Sequence, residues 1–405
     1  MLREWRIRPR RVAGDPHIAY CPIKVTTFRH GGNRQRAASD PAAAASKRNS
    51  AMDNAPHDQT RLVLPDGSYA AVPLAREKIA VGVVQTKVRG LDGDNPAPGM
   101  AENLKYLLDC IDAAQGYGGR CDLLCFHEFA LQGFRPYNRE QNLRVAIEVP
   151  SPEIEAIAAK AKQYNCYISL GLWGKDPVNW PGHVMQWQVL LGPKGDVVDV
   201  HWKQRNVRGI FPGVEQFSTT IYDVYDRYVE MYGQDRVIPI ARTDIGNIAM
   251  SAVQFEPELF RAFAMKGAEI VIRVTTGGFE FEDLRLTSYH NDCYTVHVSN
   301  CVNTGGANPG FLEETASANG RIGRSAVFEP GGKIMTEAGV FETRRRATIP
   351  IAAFRQNRKI PDVHLKLYKP VYDQYVERWK PNSYAGDLPP TRLDAAKLLK
   401  QTSNW

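Results

Sequence analysis

Residues 248–273 constrain the fold of this chain more than any other stretch. Ile248, Met250 and Val253 are apolar strand material. Pro257 has the fixed φ that suits the first position of a helix, and Gly267 stands where a helix usually ends in a left-handed residue. Phe260, Phe263 and Ala264 share one helical face, and Ile270, Val271 and Ile272 then form a continuous apolar run, the signature of a strand covered on both faces. The pattern predicts strand, sharp turn, helix, strand: one β-α-β unit of an α/β protein. Ser251 falls where the first strand gives way to the turn, at its carboxyl end, the edge at which open α/β sheets place ligands.

The rest of the chain bounds what this unit can belong to. With 405 residues, 43% hydrophobic and 23% charged, it can bury a large core. No apolar run approaches the roughly 18 residues needed to cross a membrane, so no membrane partner is expected. The formal charge of +7 comes from the first 48 residues, where Arg3, Arg6, Arg8, Arg10 and Arg11 cluster. The body is close to neutral, which argues against a nucleic-acid surface. Cys21, Cys110, Cys121, Cys125, Cys166, Cys293 and Cys301 form an odd set without metal-type spacing to histidine. The reduced cytoplasm is therefore the expected compartment, with neither metal nor cofactor.

Residues 1–60 lack periodicity and predict a flexible N-terminal extension. Arg10-Arg11 is not followed by the apolar stretch of an export signal. Residues 61–77 suggest a short hairpin with Asp66-Gly67 at its turn. The folded body is expected over residues 78–350 as a single domain. It opens with a strand from Lys78 to Gln85, a helix carrying Leu104, Leu107, Leu108 and Ile111, and a second strand ending near Phe126. A helix from Pro152 leads to a strand at 166–172, and residues 185–191 and 197–202 form an antiparallel pair around the Gly192–Gly195 turn. After an aromatic interval at 204–240, with a helix near 222–232, the second half repeats this order: the unit at 248–273, a helix near 284–293, a strand at 295–302, and a strand, turn and return strand at 323–336. Two such halves packed face to face give two sheets with helices outside. The proline-rich residues 351–405 have little core pattern and are expected to lie over a partner subunit.

Polar residues stand at three of the expected strand ends: Glu128, Lys203 and Ser251, with Glu215 a little beyond Lys203. Singly, each is unremarkable: a helix-cap partner, a solvated tip, a turn hydroxyl. In this order and spacing the four residues match the nitrilase superfamily, the carbon–nitrogen hydrolases, across residues 78–350. Phe126-His-Glu-Phe-Ala-Leu-Gln-Gly-Phe134 resembles the family's Pro-Glu-x-x-x-x-Gly-Tyr segment, with His127 for Pro and Phe134 for Tyr, and places the general base at Glu128. His201-Trp-Lys-Gln204 resembles the catalytic lysine segment, with Trp202 for Arg, and places the lysine at Lys203. A second glutamate, found after the lysine in the amidases, corresponds to Glu215. Pro257-Glu258 and Lys266-Gly-Ala-Glu269 fit the nucleophile segment, but the cysteine position is Ser251 and the acid two residues on is Val253. Segments 264–273, 291–300 and 323–328 are similar to aliphatic amidases and formamidases.

The resemblance implies a nitrilase-like α-β-β-α sandwich, a small amide as substrate, and a homo-oligomer built from dimers. In that chemistry the nucleophile attacks the amide carbon, a carboxylate moves the proton, and an ammonium with a backbone N–H, here that of Ala252, holds the oxyanion. The attacking atom is where this chain departs. An alcohol's pKa of about 16 against a thiol's 8.5 makes the alkoxide roughly 10 kcal/mol more costly to form. Two readings follow: an amidase with Ser251 in place of Cys, whether natural or engineered, and a non-catalytic member that binds a ligand or serves an assembly.

Overall fold

A computed structural model describes residues 62–64, 66–209, 215–302 and 322–405. The expectation for residues 1–60 lies outside them. At the expected turn Leu64 N donates to Ser68 O at 2.8 Å, but among the described residues no strands flank it, and Leu62, Val63 and Leu64 stand exposed rather than packed on a sheet.

In the first half, β1 (Ile79–Gln85), α1 (Pro96–Gly116) and β2 (Leu123–Cys125) form a parallel β-α-β unit. The short α2 (Arg139–Val145), closed at its start by a capping box of Asn138 and Gln141, and α3 (Pro152–Tyr164) lead to β3 (Tyr167–Asp176), β4 (Trp180–Leu191) and β5 (Val197–Trp202). The second half runs α4 (Tyr225–Tyr232), β6 (Ala241–Thr243), β7 (Gly246–Ser251), α5 (Pro257–Met265), β8 (Ile270–Val274), α6 (Phe281–Asn291), β9 (Tyr294–Val298), β10 (Ala326–Phe328) and β11 (Ile334–Glu337). Then β12 (Thr343–Ile349) returns to the first sheet. The two six-stranded sheets have the orders β12-β1-β2-β3-β4-β5 and β11-β10-β9-β8-β7-β6.

Strand alternation assigns the faces. Ile79, Val81 and Val83 of β1, Leu190 of β4, Ile248 and Met250 of β7 and Ile270 and Ile272 of β8 pack between the sheets. The opposite faces are covered by helices: α1 and α3 bury Leu107, Ile111, Ile154 and Ile157 over the first sheet, and α5 buries Phe260 and Phe263 over Ala249 and Val271 of the second. The result is the expected α-β-β-α sandwich. Two cross-sheet contacts tie its layers near one edge: Ser169 Oγ to Met250 Sδ at 3.4 Å, and Met250 N to His201 Nδ1 at 3.2 Å.

The sequence reading missed β6 and β12. The run Thr343-Arg-Arg-Arg-Ala-Thr-Ile349 looks like a solvated charge cluster, yet it pairs with all seven residues of β1. Arg344 is accommodated because its guanidinium caps the end of α1, donating to Ala114 O at 3.0 Å and Tyr117 O at 2.6 Å. Beyond it lie α7 (Ile351–Asn357), α8 (Leu365–Gln374) and α9 (Arg392–Thr402). Of the extension expected over a partner subunit, the last part packs on its own chain. Asn382 N and Tyr384 N donate to Tyr222 O and Asp223 O, both at 2.9 Å, and Tyr384, Ala395 and Leu399 are buried. These isolated apolar residues supply a core that the proline content concealed.

Candidate active site

The carboxyl ends of β2, β5 and β7 meet at one edge of the sandwich. Glu128 lies three residues past β2 and is buried. Its main chain rests on β3 so closely that a Cβ at Gly171 would sit 2.3 Å from Glu128 O, so only glycine fits there. The carboxylate is held on both oxygens. Oε1 accepts from Gln186 Nε2 and faces Lys203 Nζ at 3.6 Å, and Oε2 accepts from Thr276 N at 2.8 Å. Burial raises the Glu128 carboxyl above its ordinary range, and the Lys203 ammonium pulls it back.

Lys203 directly follows β5, where its own N–H donates to Gln186 O at 2.9 Å. Its ammonium is buried, which lowers its pKa, while Glu128 opposes that shift. The pair is thus a desolvated acid and base whose proton affinities approach each other, the condition in which a carboxylate can serve as a base near neutral pH.

Ser251 ends β7 and is buried. Its Oγ accepts from Val253 N at 3.1 Å and donates to Gln204 Oε1 at 2.9 Å, so neither hydrogen bond goes to Glu128 or Lys203. The link to the pair runs through Gln204, the residue after Lys203. The turn beyond Ser251 is tight: Phe255 has a φ of 57°, in the left-handed region, before Pro257 opens α5. Arg205 clasps this turn, donating to Phe255 O at 3.2 Å and pairing with Glu256. Arg273 braces it from behind, with Nη2 donating to Val253 O at 2.9 Å and Asp283 Oδ2 at 2.6 Å. Three consecutive residues after β5 therefore hold three different parts of the site: Lys203 the carboxylate, Gln204 the serine, Arg205 the turn.

The remaining candidates are placed as follows. Ala252 is buried directly after Ser251, and Val253 packs under α5 against Leu259, Phe260 and Phe263, a dry environment that suits valine and would penalise the acid usual there. Glu215 accepts from Gly209 N at 2.7 Å and donates its own N–H to Arg392 O at 3.4 Å; its contacts are with these segments and not with the Glu128–Lys203 pair. His127 is buried, its pKa lowered to about 3 by burial, and its Nδ1 accepts from Phe129 N at 3.3 Å, so it is neutral and does not face Ser251. The Cys293 thiol is fully buried and pushed up to about 12, which makes it an inert core residue. Among the described residues no group of three or more His, Cys, Asp or Glu could hold a metal ion, and no helix is long and apolar enough to cross a membrane.

Gln186, Gln204 and Thr276 were not anticipated. The first did leave a signal: in Met185-Gln-Trp-Gln-Val-Leu-Leu191 two glutamines alternate with large apolar residues, so one face of a buried strand had to be polar. Thr276 reaches Glu128 through its backbone, which no side-chain pattern reveals.

A family model described as carbon-nitrogen hydrolase matches residues 80–359. Among solved structures, the chain is similar to the NitFhit protein of C. elegans at 18% identity, covering 78% of this chain and 68% of that one with a TM-score of 0.52. It is also similar to an amidase from Nesterenkonia sp. at 18% identity, covering 74% and 98% with a TM-score of 0.50. A double mutant of that amidase in complex with acrylamide matches at 18% identity over 75% and 100%, again with a TM-score of 0.50. At this identity the likeness is one of fold.

Proposed function

Because the chain belongs to the carbon–nitrogen hydrolase family, within the nitrilase superfamily, we propose that it cleaves the carbon–nitrogen bond of a small amide with position 251 as nucleophile. The observation that carries this reading is the buried Glu128–Lys203 pair, set at the strand edge where the chain also brings Ser251. A charge pair out of water is costly to maintain. It repays that cost when charge develops beside it.

In this mechanism Ser251 Oγ adds to the carbonyl carbon while its proton passes to Glu128. The oxyanion forms against Lys203 and the N–H of Ala252. The C–N bond then breaks as Glu128 returns the proton to the leaving nitrogen, and ammonia departs. A water molecule then gives a proton to Glu128 and adds to the ester carbon, and the bond to Ser251 Oγ breaks as Glu128 returns that proton to Oγ, freeing the acid. Glu215 has no step here, since its hydrogen bonds hold the segment around Gly209.

One observation favours a second reading. The Ser251 proton is directed at a glutamine oxygen, which is no base, so the resting hydroxyl is not activated. A protein that binds an amide beside Glu128 and Lys203 without turning it over would have the same geometry. Ser251→Cys separates the two, because a thiol lowers the cost of the nucleophile by far more than any realignment would. Ammonia release from small amides, or an acyl adduct seen by intact mass, is the expected result, and Glu128→Gln in the same background should abolish release. A folded Cys variant that forms neither ammonia nor adduct leaves the binding reading in place.

A further inference from the structure

Gln186 is buried on β4 with its side chain between the sheets, and only half of its amide is used. Nε2 donates to Glu128 Oε1, while Oε1 of the same planar group has no hydrogen-bond partner. The orientation is fixed by chemistry, since an ionised carboxylate can only accept. Gln204 has the complementary vacancy. Its Oε1 accepts from Ser251 Oγ at 2.9 Å, and its Nε2 has no acceptor. Buried polar atoms without partners are uncommon and call for an explanation.

We propose that Gln186 is the residue that recognises the substrate as an amide, accepting a hydrogen bond from the substrate nitrogen beside Glu128, with Gln204 Nε2 as the matching donor to its oxygen side. The proposal rests on the amide reading above and names what selects the amide. A primary or secondary amide offers one N–H and one C=O to one free acceptor and one free donor. An ester or a nitrile brings an acceptor only, so the Gln186 carbonyl would stay unpaired and face a lone pair. The product carboxylate would bring a second negative charge against Glu128, which favours its release. Selection by a site built to hydrogen-bond an N–H is stringent, because the analogue lacking the group leaves a buried polar atom unsatisfied.

The test compares N-methylpropionamide with methyl propionate, which share shape and differ in N–H against O, with propionamide as a third ligand. Dissociation constants are measured on the unmodified chain by ligand-observed NMR or calorimetry, then on Gln186→Met. The amides should bind at least about tenfold more tightly than the ester, and Gln186→Met should erase that ratio by weakening the amides alone. Equal binding of ester and amide by the unmodified chain, or no amide binding at all, overturns the proposal. So does a folded Gln186→Met chain that retains the preference. Should that variant fail to fold, the ligand ratio on the unmodified chain decides. Failure of the broader reading looks different: an intact amide preference together with a Ser251→Cys chain that releases no ammonia removes the hydrolysis and leaves the recognition by Gln186 standing. A Ser251→Cys chain that hydrolyses amides and esters equally well before and after Gln186→Met removes the recognition alone.

Discussion

Replacing Lys203 by methionine takes away the ammonium that faces Glu128 and keeps most of the volume. At 3.6 Å, and with the effective dielectric of about 20 that suits such pairs, the attraction removed is about 4–5 kcal/mol. The measured loss depends on whether Glu128 must stay ionised. Its folded pKa is already raised above 4.5 by burial, and without Lys203 it rises further. A carboxyl with a raised folded pKa contributes stability below its unfolded pKa and loses it as pH climbs through the folded value. More of the variant's carboxyl is protonated at pH 5 than at pH 8, so the cost should shrink as pH falls, towards about 1 kcal/mol of lost hydrogen bonding. At pH 8 it should approach the 3–5 kcal/mol, roughly, of a broken buried pair. Urea unfolding of both chains at the two pH values reads the difference directly. A loss that is the same at pH 5 and pH 8, or larger at pH 5, would refute the ion pair and with it the assignment of Glu128 as a base beside a cation.

Gly171→Ala should displace the Glu128 main chain, because the new Cβ falls 2.3 Å from its carbonyl oxygen. We expect about 1–3 kcal/mol of lost stability by denaturant unfolding and at least a tenfold, order-of-magnitude drop in ammonia release in the Ser251→Cys background; undiminished turnover would mean that the position of Glu128 is not critical. In that same background the pH profile of kcat/KM should have an acid limb displaced above 4.5, as burial raises Glu128, and a basic limb below 10.5, as burial lowers Lys203. An acid limb at or below 4.5 would count against Glu128 as the proton acceptor.

The parts of the fold that sequence makes visible are those whose apolar periodicity is uninterrupted. β1, β8 and the unit from β7 through α5 announce themselves because every residue on one or both faces is buried and apolar. β12 does not, since its arginines satisfy carbonyls at the end of α1, a pairing between residues more than two hundred apart in the chain. The site divides in the same way. Glu128, Lys203 and Ser251 are legible as polar residues at strand ends. Gln204 was overlooked although it adjoins Lys203, because its role depends on which sheet edge lies opposite. Glu215 was selected by its resemblance to the second glutamate of the amidases, and that resemblance carries no information about the direction in which this loop runs: its carboxylate accepts from Gly209 N.

The pairing of β12 with β1 has a consequence for how the molecule is made. Ile79 finds Ile349 as its partner, so the first strand of the body waits for the last described one before its outer hydrogen bonds are met. During synthesis β1 is an open edge, seven residues long and rich in valine and isoleucine, and such edges recruit other chains. Closing so distant a contact is also slow, because the entropy of a very long loop is lost before the strand pairing compensates for it. Nascent and refolding chains therefore share one vulnerable interval, which ends only when the arginine-rich strand docks; its charges keep that last segment soluble until then.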